Sequence, residues 1–315
     1  MTKSETSYDE PFKRGHKKKK RKILRIFIIA LFVLIVLLGA VGGKVYFDLK
    51  SAINKAYVSP PTETTSVSLK NKEAFTTAVL GISEINGKEV LVSADMAAMN
   101  PRLQQTTVIN ISTSALLPNH QSLGTLYNSG GAAAVIQEME ELLQVKTNKF
   151  VKIDFDQIGK LVEAIGGLSL QNANVFNAQG YNFPQGTISL KNSTEVKAYL
   201  TLLNESDSKK LFGRQQELVM ATMTKLKNPQ IIIGHFSQIL AAFPKVFRMS
   251  FSFGNFKALV VNYHGATRIS KINIHSDKVE GQSGVTTISQ ANLDLAKIQF
   301  QESLKEKNIN HWTNI

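Results

Sequence analysis

Phe212-Gly213-Arg214-Gln215 is the group in this 315-residue chain best suited by type and spacing to meet a phosphate. A glycine permits close backbone approach. An arginine offers a planar fork of donors that matches phosphate oxygens. If Arg214 opens a helix, free N–H groups and the positive dipole end add to its pull. Lys209 and Lys210 lie just upstream and would add charge. The plainer alternative, an arginine paired with a neighbouring carboxylate, stays open on these residues alone. Other chemistry is sparse. His16, His120, His235, His264, His275 and His311 are widely spaced, and none sits in a metal-ligand pattern. Glu138, Glu140 and Glu141 read as the charged face of a helix. Gly281-Gln282-Ser283-Gly284 lacks the spacing of a nucleophile elbow and reads as a turn. There is no P-loop, and with no cysteine there is no thiolate nucleophile, no thiolate metal site and no disulfide. No residue qualifies as a catalytic group from these patterns.

The elements that would position Arg214 follow from periodicity. Phe75–Ile82, Glu89–Met99 and Thr106–Ile111 are expected strands, with Asn100-Pro101 as a turn. Gly130-Gly131 is expected to open a helix whose apolar face carries Val135, Ile136, Met139, Leu142 and Leu143. In Phe150–Phe155, Val151, Ile153 and Phe155 alternate with Lys152 and Asp154, the period of a half-buried strand. Asp156 is placed to cap a helix ended by Gly166-Gly167, and Leu168–Leu170 starts another strand. The Gly/Asn-rich stretch 172–186 is too polar to pack on both faces. Asn192 and Glu195 have capping-box spacing for a helix through Leu203, and 212–227 is a further amphipathic helix. Beyond Pro229, 251–262 and 267–275 are expected strands and 289–307 a helix. Alternating strands and helices imply an α/β domain, a mixed central sheet covered by helices.

Charge and hydropathy place that domain. The formal net charge is +13, yet residues 1–25 alone carry ten Lys/Arg and three Asp/Glu, leaving only +6 over the other 290 residues. The block Lys17-Lys18-Lys19-Lys20-Arg21-Lys22 precedes an uncharged apolar run, Ile26–Gly43. At 1.5 Å per residue that run spans about 27 Å, close to the hydrocarbon thickness of a bilayer. Cationic flanks stay cytoplasmic, so the reading is a single-pass anchor with the N-terminus inside and the domain outside. The basic tail is a topology signal and a contact for anionic headgroups, and no specific nucleic-acid partner is expected. Ala40-Val41-Gly42 would suit a signal peptidase; the length of the run favours an uncleaved anchor. The resulting division is a basic tail (1–25), a transmembrane anchor (26–47), a stalk with a Pro60-Pro61 joint (48–72), the α/β domain (73–230) and a C-terminal extension (231–315) that is either a second lobe or further strands of the same sheet.

The order of these elements resembles the extracellular domain of the LytR-CpsA-Psr family from about Phe75 to Pro229. The pieces that carry the resemblance are N-P followed by a threonine-led strand (Asn100 to Thr107), Leu142-Leu143 then F-V-K-I-D-F, L-V-E-A-I-G-G (Leu161 to Gly167), and Ala198-Tyr199 followed by F-G-R-Q. The resemblance implies an apolar pocket for a polyprenyl tail and transfer of glycopolymer (teichoic acid or capsule type) from a lipid pyrophosphate to peptidoglycan. It also implies arginines and acidic residues around the pyrophosphate, with magnesium if the protein is active. The chain departs from the family pattern at Ser112-Thr113-Ser114, where Pro-Arg-Asp is usual, and at Val90-Leu91-Val92, where Arg-Ser-Asp is usual. It departs again at Thr201 and Leu203, where arginines are usual. Arg214 with Gln215 stays in register; Lys209 and Lys210 are candidate supports, and Asp95 is the weaker acidic candidate. Losing one contact to developing negative charge costs about 2.7–4 kcal/mol. The expectation is therefore a bacterial envelope-biogenesis protein that binds polyprenyl-linked glycan, peptidoglycan or paralogous envelope enzymes, with weakened or lost transfer. The alternatives are an active phosphotransferase built on Asp95, Lys209, Lys210 and Arg214, and an envelope-linked transcriptional attenuator.

Overall fold

The computed structural model describes residues 43–85, 87–201, 208–226, 228–266, 268–274, 276–279 and 285–305. The basic tail, most of the apolar run, Leu203 and the Gly281–Gly284 segment read as a turn lie outside them. Among the described residues no helix is long and apolar enough to cross a membrane.

Six strands form the central sheet: β1 (Phe75–Ile85), β2 (Lys88–Asn100), β3 (Gln105–Ile111), β4 (Lys149–Asp154), β9 (Phe247–Met249) and β10 (Arg268–Asn273), in the order β10-β3-β2-β1-β4-β9. It is mixed. β1 pairs antiparallel with β2 and parallel with β4, while β3 pairs parallel with β10. Both faces are buried, which explains why β1 reads as a continuous apolar run. Its residues still sort by parity: Phe75 and Val79 enter one cluster, and Ala78, Leu80 and Ile82 the other. The second face is covered by α2 (Leu123–Leu143) and α9 (Gln290–Glu302). The first is covered by α1 (Gly43–Ala56), α3 (Ile158–Ala164), α4 (Ser193–Tyr199), α5 (Ser208–Leu226), α6 (Pro229–Gly234), α7 (Phe236–Val246) and α8 (Phe253–Asn262). Two small hairpins, β5 (Leu168–Asn172) with β8 (Gly186–Leu190) and β6 (Phe176–Ala178) with β7 (Tyr181–Phe183), enclose the Gly/Asn-rich stretch. A short pair, β11 (Asp277–Lys278) and β12 (Thr286–Thr287), precedes α9.

Several local expectations change on folding. α2 begins at Leu123, capped by the Ser122 side chain, and Gly131 (φ 63°, ψ −155°) kinks it rather than opening it. Glu140 is not on a charged outer face. It is 6% exposed, and its carboxylate accepts from the Thr147 N–H and pairs with Lys146. Asp156 does not cap α3; it accepts from the Ser83 hydroxyl and the Glu84 N–H, tying the end of β1 to the turn after β4. α4 stops at Tyr199, four residues short of Leu203. Within the expected strand 251–262, Phe253–Asn262 is a helix, because Ser252 and Asn255 form a reciprocal capping box and Phe253, Phe256 and Leu259 recur at helical spacing on the buried side.

The segment read as a stalk lies on the body. Leu49, Ala52, Ile53 and Ala56 of α1 are each at most 4% exposed, and the Val58 N–H donates to the Met249 carbonyl on β9. The C-terminal region supplies β9 and β10 at the two edges of the sheet, so its strands extend that sheet rather than forming a separate lobe.

Candidate functional site

Arg214 lies six residues inside α5, not at its start, because the helix begins at Ser208. Its backbone N–H therefore falls beyond the first turn, whose free N–H groups would serve an anion, and the phosphate-binding case rests on the side chain alone. That side chain is held on two sides. Nη2 donates to the Thr201 carbonyl at 2.8 Å, just past the end of α4. The guanidinium carbon lies 4.5 Å from the centre of the Phe176 ring on β6. Arg214 is 7% exposed. A buried cation stacked on an aromatic face is aimed, not free to roam.

Beside it is a cavity of about 290 Å³ lined by Asn172, Asn174, Phe176, Tyr199, Arg214 and Glu217, with Gln171, Ala173 and Gly213 completing the wall. Gly213 carries no side chain to fill it, and no atom within 4 Å would oppose one. The polar wall is fixed by Asn172, whose Nδ2 donates to the carbonyls of Asn174, Phe183 and Pro184 at 2.6, 3.1 and 2.8 Å. The apolar wall is an aromatic cluster. Phe176 stacks on Phe183 at 4.8 Å, and Phe183 meets Tyr199 edge-on at 5.4 Å. Burial pushes the Tyr199 phenol up to about 12, with Glu217 adding to the rise and Arg214 opposing it; it stays a neutral donor at physiological pH. The volume sits at the low end of ligand pockets, roughly 300–1,000 Å³. Its size suits a phosphate-bearing headgroup with a short apolar stretch.

The other residues singled out in the sequence do not converge here. Gln215 is 3% exposed and turns into the core, away from the cavity lining. Lys209 and Lys210 sit in the first turn of α5. Asp95 lies on β2 opposite Asn110 of β3, whose Nδ2 donates to its carboxylate at 2.9 Å. Burial pushes Asp95 up to about 6, against the pull of Asn110 and Lys271, and it is not part of the cavity wall. Ser112-Thr113-Ser114 closes the end of β3 as a neutral turn. The Ser112 hydroxyl accepts from the Ala115 N–H, and the Thr113 carbonyl accepts from Gly124 at the start of α2.

Glu217 and Asn172 escaped the sequence reading. Glu217 was within reach of it, since it follows Arg214 by three residues and so shares its helical face. A phosphate brought to Arg214 would meet this carboxylate, and a divalent cation would relieve the repulsion. Among the described residues no three His, Asp or Glu side chains cluster as a metal site. Magnesium commonly needs only one or two carboxylates, with phosphates and water completing the shell. Glu217 fits that lesser requirement.

The six-stranded mixed sheet and its two helical layers define an α/β protein with a cavity lined by a buried arginine and an aromatic wall. The chain belongs to the LytR_cpsA_psr family, which it matches over residues 46–306. It is 26% identical over 297 residues to the polyisoprenyl-teichoic acid–peptidoglycan teichoic acid transferase TagU of Enterococcus faecalis, covering 89% of this chain and 96% of that protein. To TagU of Bacillus subtilis it is 23% identical over 270 residues, covering 81% and 87%. Its fold is shared with the crystal structure of B. subtilis TagV (TM-score 0.54, 18% identity, 74% of this chain and 98% of that one). It is also shared with the structure of TagT bound to LIIa-WTA (TM-score 0.53, 16% identity, 78% and 99%). The match begins at residue 46, so α1, outside the stretch that carried the sequence resemblance, belongs to the family region as well.

Proposed function

We propose that this protein binds polyisoprenyl-linked glycopolymer intermediates at the outer face of a bacterial cytoplasmic membrane, and that its own transfer chemistry is weak. One observation carries the reading: among the described residues the cavity wall contains a single cation, Arg214, whose Nη2 already serves the Thr201 carbonyl. Transfer from a pyrophosphate builds negative charge that must be met by fixed donors. At Ser112–Ser114 and Thr201, where the family resemblance led us to expect arginine or aspartate, the side chains are neutral. Binding asks less, since the aromatic wall supplies apolar contact and Arg214 supplies one charge. The assay is incubation of the full-length protein in nanodiscs with lipid-linked glycopolymer and peptidoglycan, with and without magnesium. Retention of the lipid with little glycan transfer is the expected result; robust metal-dependent transfer overturns the weak-transfer reading.

The second reading is an active transferase, favoured by the similarity to TagU over most of both chains and by Glu217 beside Arg214. In that case Glu217 is the residue to hold a magnesium ion, whose chemistry would be to neutralise phosphate charge, and both Arg214→Ala and Glu217→Gln should abolish transfer.

A further inference from the structure

The first turns of α1 carry two exposed aromatic side chains, Tyr46 at 36% and Phe47 at 66%. Neither is needed to cover the core, which begins at Leu49. Tyr46 meets Phe253, the first residue of α8, edge to face at 5.1 Å, and Tyr46 and Phe47 meet at 5.6 Å. The Lys257 ammonium lies 5.6 Å from the Phe253 ring centre. Lys44, Lys50 and Lys257 are all exposed, with Asp48 the one exposed anion on this stretch of α1. Two elements far apart in sequence thus bring aromatic rings and lysines to one place on the surface.

We propose that this patch is a foot that rests in the outer headgroup layer and fixes the tilt of the body; the proposal rests on the reading of residues 26–43 as the membrane anchor. The heights agree. If the apolar run ends at Gly43, Tyr46 and Phe47 stand about 4.5–6 Å further along a helix. The headgroup region on each side of the hydrocarbon is about 5–7 Å deep. Tyrosine and phenylalanine with flanking lysines are the residues that settle at this boundary, rings toward the acyl chains and ammonium groups among the phosphates. Leu49, about 9 Å beyond Gly43, is already sealed in the protein core. From Gly43 through Leu49 the described chain is one unbroken helix, so Tyr46 and Phe47 are rigidly joined to the core. The occupant is therefore the lipid surface itself, anionic lipid being favoured by the excess of lysine.

The absence of cysteine makes the test clean. Full-length Phe47→Cys, Lys257→Cys and Leu295→Cys variants are labelled with a polarity-sensitive fluorophore and reconstituted into phosphatidylglycerol-containing vesicles. Flotation scores insertion, and quenching by lipids brominated near the headgroup scores contact. Leu295, 62% exposed on α9 over the other face of the sheet, is the comparison. Position 257 decides the matter, because 47 adjoins the anchor in any case. Labels at 47 and 257 should be quenched about twofold, while the label at 295 is nearly unaffected. A protein that floats but leaves 257 as unquenched as 295 overturns the foot alone. A protein that fails to float overturns the anchor and the foot together. Quenching at 295 equal to that at 257 means the body lies on another face, which also overturns it. Lys257→Glu should reduce the quenching at 47 in anionic vesicles and leave it unchanged in zwitterionic ones; an equal loss in both rejects the electrostatic part.

Discussion

Asn100 offers the sharpest test of how this fold is held, because one side chain satisfies four backbone groups. It is 1% exposed. Its Nδ2 donates to the carbonyls of Ser303 and Lys305, at 3.0 and 2.8 Å, beyond the end of α9. Its Oδ1 accepts from the N–H groups of Arg102 and Leu103, at 3.1 and 3.2 Å, shaping the turn into β3. At about 0.5–1.5 kcal/mol net for each bond, and with some groups regaining water, Asn100→Ala should cost about 3 kcal/mol. That corresponds to a fall of about 1 M or more in the urea midpoint with an unchanged slope. Asn100→Asp separates the two halves. It keeps the acceptor for Arg102 and Leu103 but turns a carboxylate oxygen toward two carbonyl oxygens. Its carboxyl should therefore be held above the ordinary carboxylate range in the folded protein, and the folded state should bind more protons than the unfolded one near that range. The stability of the variant relative to the native protein should then fall as pH rises through it. Urea unfolding of the three proteins at pH 4 and pH 7.5 decides the matter. A loss of under about 0.5 kcal/mol for the alanine variant, below the value of a single such bond, refutes the argument. An aspartate variant indifferent to pH does so as well.

Arg214→Ala should weaken binding of a polyprenyl-pyrophosphate lipid by about 10- to 100-fold, the loss of about 1.5–3 kcal/mol for a charge-assisted contact, measured by titration into nanodiscs; unaltered affinity would remove the cavity from consideration. Gly167→Ala places a Cβ 2.8 Å from the Leu190 carbonyl oxygen at φ +73°, so it should destabilise by about 1–3 kcal/mol. Gly180→Ala, at φ +81° with nothing within 4 Å, should cost only the backbone part, about 1 kcal/mol, and equal melting shifts for the two would contradict the clash. Burial raises Asp95 to about 6 in the folded protein, so its ionisation opposes folding as pH rises from about 4 to 6. Asp95→Asn, which still offers Asn110 an acceptor, should be the more stable protein by about 1–2 kcal/mol at pH 7.5 after discounting for partial exposure. It should lose that advantage below pH 4, and an advantage that grows on acidification would reverse the sign of the argument.

The parts of the fold that were legible in the chain are those whose determinants are local. Val151 and Ile153 alternate with polar neighbours, and 149–154 is a strand; Asn192 accepts from the Glu195 N–H as its spacing required. Leu49, Ala52, Ile53 and Ala56 already carried the helical spacing that seals α1 to the body. Without a partner in view, that stripe read as part of a stalk. Phe251 and Phe253 were misleading because a two-residue alternation is also the beginning of a three-residue one, and only the Ser252–Asn255 cap decides between them. Arg214 was found and misplaced, since nothing in Ser208-Lys209-Lys210-Leu211 breaks a helix, which simply starts earlier.

The cavity was the least legible part, and the reason bears on function. Asn172, Phe176, Tyr199, Arg214 and Glu217 come from a hairpin, a second hairpin, the end of one helix and the middle of another, so no local pattern joins them. Of the residues that carried the family resemblance, Tyr199, Gly213 and Arg214 line the cavity, and others do different work. Asn100 holds a turn and the C-terminal tail, and Gly166 and Gly167 adopt φ near +75° to end α3. The turn before β3 and the end of α3 thus rest on residues away from the cavity wall. Ser112-Thr113-Ser114 is likewise outside the cavity wall, and it accepts from the Ala115 N–H and from the Gly124 N–H at the start of α2. The family match over residues 46–306 spans both the scaffold and the cavity lining. The chemistry is set by what faces the cavity, where, among the described residues, Arg214 and Glu217 are the charged side chains.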